Sequence, residues 1–162
     1  MINYVKPIFS TKLLDDKYHY VNGILHRENG PAIEFANGDK HWYINGYLHR
    51  ADGPAIISSE GYKKWYKHGL LHREDGPAVE WFDGEVHWYK NGLHHREDGP
   101  ASIYASGEKN WIINNKLHRK DGPAIESPNE GKCWYFNNIK YGTNDDFTNK
   151  SWETFIKTLI FS

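Results

Sequence analysis

The chain has 162 residues, a length that suits one domain. Its 20 basic and 21 acidic residues leave a formal net charge of −1, which excludes a general attraction to nucleic acid or anionic lipid while leaving room for a local basic stripe. The one cysteine, Cys133, excludes an intrachain disulfide and a cysteine-based zinc site, and it suits a reducing compartment.

Residues 1–17 form an N-terminal segment. Their stretch MINYVKPIFSTKLL lacks an apolar core long enough for a signal peptide, and Tyr4 to Leu14 is expected to supply a covering strand or loop. From residue 18 the chain repeats. His-Arg occurs at His26, His49, His72, His95 and His118, each 23 residues after the last. Gly-Pro-Ala follows each time, beginning at Gly30, Gly53, Gly76, Gly99 and Gly122. Trp42, Trp65, Trp88, Trp111 and Trp134 keep the same phase, and a degenerate half-unit with His19 in the Trp place precedes the first copy. A fixed period of this length marks a repeat architecture.

Within one unit, Ala78 to Phe82 favours a strand, Asp83-Gly84 marks a hairpin turn, and Val86 to Lys90 reads as the return strand. Asn91-Gly92 marks a second turn, Leu93 to Arg96 a short extended piece, and Asp98-Gly99-Pro100 the close. Turn signals at this density argue an all-β fold. One hairpin is marginal alone, so each unit is expected to bury its Trp against the next. The array is expected over 18–141. Its last unit departs slightly, with Gly131 one place late and Pro128 ahead of it.

Residues 142–162 form the C-terminal flank. Trp152, Phe155, Ile156, Leu159 and Ile160 fall on one helical face, with Thr148, Asn149 or Ser151 to cap its start. The expectation is an amphipathic helix closing the last apolar edge. The apolar piece Leu159 to Phe161 is far too short to span a bilayer, which points to a soluble, cytoplasmic protein.

The pattern Trp-Tyr-x-Asn-Gly-x-x-His-Arg-x-Asp-Gly-Pro-Ala resembles a variant of the MORN repeat, carried here by Trp88-Tyr89, Gly92, His95, Gly99 and the turn glycines Gly84 and Gly107. It departs from the commoner unit in placing His-Arg where a small residue stands and Pro-Ala after the second Gly. It is also similar to arrays in proteins of large DNA viruses and phages. The resemblance implies an elongated, single-layer, twisted antiparallel sheet of tandem hairpins. It also raises a membrane-surface or phosphoinositide partner, against which the neutral charge counts.

Candidate binding residues are the His-Arg pairs His26, Arg27, His49, Arg50, His72, Arg73, His95, Arg96, His118 and Arg119, with Tyr43, Tyr66, Tyr89 and Tyr135 on the opposite face to the Trp row. Read structurally, each Arg stacks on an aromatic ring and pairs with the Asp two residues on. Read functionally, the same row faces a groove and takes a phosphorylated small ligand or nucleic acid, as a sequestering (viral anti-defence) protein would. Trp42, Trp65, Trp88, Trp111 and Trp134 are expected to be core. Equivalent His residues lie about 9–10 Å apart in such a sheet, too far to share a metal ion, so no metal or cofactor is expected. Phosphate-loop, nucleophile-elbow and metalloprotease motifs are absent, and no catalysis is expected. The leading expectation is a scaffold that binds another protein along one face. An edge strand left uncovered would make it a homodimer.

Overall fold

Two kinds of turn set the frame. The structure, a computed structural model, describes residues 15–161; the covering segment expected at Tyr4 to Leu14 lies outside them. In the third unit Asn91 and Gly92 both take positive φ (51° and 79°), the mirror-image turn that matches strand twist in a two-residue hairpin. The other turn places Gly84 at φ 89° after Asp83.

Each unit holds four short strands where the sequence pattern gives two and a third short piece. The run Val86 to Lys90 divides at Trp88. Val86–His87 pairs with Val79–Glu80 on one side and Ser102–Ile103 on the other. The Trp88 N–H then donates to the Ala101 carbonyl (2.8 Å), and Tyr89–Lys90 turns away to pair locally with Leu93–His94. Repeated along the chain, this gives a 12-stranded antiparallel sheet accompanied by a row of five two-stranded hairpins. The all-β array of hairpins closed by a C-terminal helix is therefore the architecture, with the single expected sheet joined by a second row.

The hairpin row is tied together between units. Gly46, Gly69 and Gly92 each donate a backbone N–H to Leu25, Leu48 and Leu71 of the preceding hairpin at 2.8 Å. Ala32, Ala55, Ala78, Ala101 and Ala124, all fully buried, line the interior between sheet and hairpins. Only a small side chain fits there, which accounts for the alanine after every Gly-Pro.

Both limits of the array lie further out than 18–141. Asp16 accepts the Ala36 N–H at 2.7 Å as Asp39 accepts that of Ser59, so the half-unit already keeps phase at Asp16. At the other end Gly131–Phe136 pairs with Ile139–Thr143, with a register shift at Trp134/Tyr135. No further unit follows to take this edge, and the strands run longer. A 3-10 turn at Asn144–Asp146 leads to the helix Asn149–Phe161, which starts later than the flank boundary at 142. Thr148 caps it, its hydroxyl accepting the Ser151 N–H at 3.1 Å. Trp152 and Ile156 are buried against Trp134, with Phe136, Tyr141, Phe147 and Phe155 around them. No helix among the described residues is long and apolar enough to cross a membrane.

Candidate functional site

The Trp residues are not piled on one another. Equivalent positions in neighbouring units lie two strand spacings apart, roughly 9–10 Å, beyond the 4.5–7 Å of a ring contact. Arginine fills the gap. The guanidiniums of Arg50, Arg73, Arg96 and Arg119 lie 4.2, 4.1, 4.1 and 3.9 Å from the ring centres of Trp42, Trp65, Trp88 and Trp111. These four Trp residues are half-buried; Trp134 alone of the row is fully buried. In the degenerate half-unit Arg27 instead meets the His19 ring nitrogen at 2.9 Å.

Nε and Nη1 of each Trp-stacked Arg are also bonded. Nε of Arg50, Arg73, Arg96 and Arg119 donates to Asp52, Asp75, Asp98 and Asp121 at 2.8–2.9 Å. Nη1 of Arg73 and Arg119 donates to Glu80 and Glu126 at 2.8 Å, and to the carbonyls of Pro77 and Pro123. Hydrogen bonds from Arg50, Arg73 and Arg96, then their charge, hold Asp52, Asp75 and Asp98 below the usual carboxylate range.

The histidines serve the next unit's turn. Nδ1 of His26, His49, His72 and His95 accepts the backbone N–H of Asn45, His68, Asn91 and Asn114 at 3.1–3.3 Å. An accepting Nδ1 in His72 leaves the ring proton on Nε2, which faces Glu74, whereas Nδ1 of His26 and His95 also meets the Asn45 and Asn114 amide oxygens at 2.9 and 2.8 Å. His118 Nδ1 meets the Asn137 side-chain amide at 2.8 Å. Burial first, then His68 and Lys67, push the His49 pKa down.

Between successive loops of this face run open grooves, one of about 920 Å³ between His49-Arg50 and His72-Arg73. Their rims carry the exposed carboxylates of Glu74, Asp75, Glu97 and Asp98, and the guanidiniums beneath are already paired. Such a groove repels phosphate at its rim and offers it few unused donors.

Tyr43, Tyr66, Tyr89 and Tyr135 are half-buried rather than an exposed aromatic platform. Burial raises the pKa of Tyr66 and Tyr89, and the Tyr89 ring stacks on His94 at 4.7 Å. The strand break at Trp cancels the simple alternation that would have turned them outward.

The exposed apolar surface lies elsewhere. Ile24, Tyr47, Leu70, Leu93 and Ile139 occupy one position in successive hairpins and are 41–60% exposed. Lys116 takes the same place in the remaining hairpin. The side chains run in file: Ile24, Tyr47 and Leu70 each reach over the turn glycine of the next hairpin, Gly46, Gly69 and Gly92. Sequence reasoning missed this row, although the position two after Asn22, Asn45, His68, Asn91 and Asn137 repeats an apolar type on the 23-residue period, with Lys116 the exception.

Among the described residues no group of three or more His, Cys, Asp or Glu side chains could hold a metal ion. Comparison with protein-family models and with curated proteins finds no match.

Proposed function

We propose that this chain is a non-catalytic, MORN-like interaction module that binds a protein partner along the hairpin row Ile24, Tyr47, Leu70, Leu93 and Ile139. The observation that carries this reading is the repetition of a large exposed apolar side chain at one site in four successive hairpins, Ile24, Tyr47, Leu70 and Leu93, with Lys116 at that site in the fifth and Ile139 beyond it. A run of four such side chains is unusual on a protein surface unless something covers it. Its step of about 10 Å matches every third residue of an extended partner or every seventh of a helical one. Lys67 and Lys90 pair across the hairpins with Leu70 and Leu93, so acidic side chains beside the partner's apolar ones fit best. The His-Arg face supports a phosphate-binding reading less well, because its donors are engaged in the fold.

A photo-crosslinking amino acid placed at 47, 70 or 93, in cells that make the protein, is expected to capture a polypeptide, whereas one placed at 74 or 97 on the acidic rim is not. Capture confined to the rim would sink the reading. Binding of anionic vesicles lost on Tyr47→Ser/Leu70→Ser/Leu93→Ser substitution, with no polypeptide captured, would replace the partner by a membrane surface.

A further inference from the structure

One junction breaks the repeat in its interior. Where four hairpins carry Leu25, Leu48, Leu71 and Leu117, the third unit carries His94. Where the others carry Ile33, Ile56, Val79 and Ile125, the fourth carries Ser102, which is fully buried. Both changes replace an apolar side chain with a polar one in a buried place, and a local rule broken in this way marks a functional or strained position.

The polar groups form one directed chain. His94 Nε2 lies 3.0 Å from the Ala101 carbonyl, which only accepts, so this nitrogen carries the ring proton. It also lies 2.9 Å from Ser102 Oγ. Ser102 is then free to donate to His87 Nδ1 at 2.9 Å, and His87 Nε2–H to donate to Glu85 at 2.7 Å. Every member is satisfied only while both rings are neutral. Next to Ser102 across the sheet stands Asn110, whose buried side-chain oxygen has no hydrogen-bond partner. A hydroxyl as deeply buried as that of Ser102 is out of reach of a substrate, so the likeness to a Ser-His-acid triad does not make a catalytic site.

We propose that Glu85, His87, Ser102 and His94 form an acid-operated joint that loosens the array between its third and fourth units. A proton added to His87 Nδ1 leaves the Ser102 hydroxyl facing two donors. A proton added to His94 puts a cation in a half-buried site whose ring neighbours are Tyr89 and His87, the latter 5.6 Å away. The titratable groups facing the joint are Glu85, Tyr89, Tyr104 against the His87 ring, and Glu108, which takes the Asn110 amide. Only Glu85 contacts an imidazole as a counter-charge, and it can compensate one proton but not two. Burial lowers the His94 pKa, the Ala101 carbonyl partly offsets this, and His87 lowers it again. A lowered imidazole pKa means the folded joint is at full strength above about pH 6.5 and weakens as pH falls from there through the folded value.

The test is NMR amide exchange on the full chain from about pH 7.5 to about pH 5.5, corrected for the intrinsic rate. The Trp88 N–H to Ala101 bond and the Ala101 N–H to Asn110 bond report this junction, and the Trp65 N–H to Ala78 bond, where Lys64, Leu71 and Val79 stand in the places of His87, His94 and Ser102, reports one without it. Protection at Trp88 and Ala101 is expected to fall several-fold more than at Trp65, and the repeat-like double variant His94→Leu/Ser102→Ile to erase the difference. Equal loss at both junctions, or an unchanged difference in the double variant, overturns the proposal. If that variant does not fold, the comparison of junctions within the native chain decides.

Discussion

The guanidiniums of Arg50, Arg73, Arg96 and Arg119 are each held between an indole and a glycine. A Cβ built on Gly99 would stand 2.9 Å from Arg96 Cζ, so the glycine is required by the close approach of the arginine and not by a positive φ. Arg96→Lys keeps the charge but loses the planar stack on Trp88 and the shaped bonds to Asp98 and Pro100, and it should cost about 1–3 kcal/mol. Gly99→Ala should cost a similar amount by displacing the same group, about 1–3 kcal/mol. The two losses are expected to be non-additive in a urea double-mutant cycle; additive losses would mean that the glycine serves some other need. Acid acts on the array in two windows. His41 and His49 have pKa values lowered by burial, so their contribution is complete above about pH 6.5 and declines on acidification below it. Asp52, Asp75 and Asp98 are held low by their arginines, and their contribution survives to the carboxylate range before it is lost. A pH series of urea midpoints should show two separate declines.

The C-terminal helix does at the end of the array what arginine does within it. Eight residues after Trp134 stands Gly142 in place of an Arg, so no guanidinium covers that ring. Trp152 and Phe147 approach it instead at 5.5 and 5.7 Å, and Trp152 Nε1 donates to the Arg119 carbonyl at 3.0 Å. Trp152→Ala should cost about 3–5 kcal/mol, whereas Phe161→Ala at the exposed helix end should stay within about 0.5 kcal/mol. Equal melting temperatures for the two variants would show that the helix is not the cap. The apolar spacing in the sequence was enough to place this helix and its buried Trp152 and Ile156. It was not enough to show that Ile160 faces out, because a 13-residue helix over one narrow edge buries a thinner stripe than an amphipathic pattern implies. The half-burial of the Tyr row was not legible for a related reason: period-two alternation holds along one continuous strand, and Trp88 hands its N–H to Ala101 and ends that strand. The Arg-Asp pairs were legible because the two residues stand two apart across the bend that leads into Gly-Pro.

At the scale of the molecule every strand pairing and nearly every polar bond joins a unit to itself or its neighbour, so stability is a sum of local and nearest-neighbour contributions. The period itself was the most legible feature of the sequence, since a one-residue slip would carry each side chain to the wrong face. This makes the array divisible only in whole units. Removing residues 54–76 joins Gly53 to Pro77 and takes out 23 residues. Trp42 would then donate to the Ala78 carbonyl in place of Ala55, His49 would meet the Asn91 turn in place of His68, and Arg50 would keep its seat over Trp42. The shortened chain should fold with the same circular-dichroism spectrum per residue and a melting temperature lower by only a few degrees. A chain shortened by one residue fewer, with Pro54 retained ahead of Pro77, breaks phase at a single seam and should melt well below it. If the two deletions prove equally stable, the units are not held in register by their shared period, and the hairpin row could not present its apolar residues at a constant step.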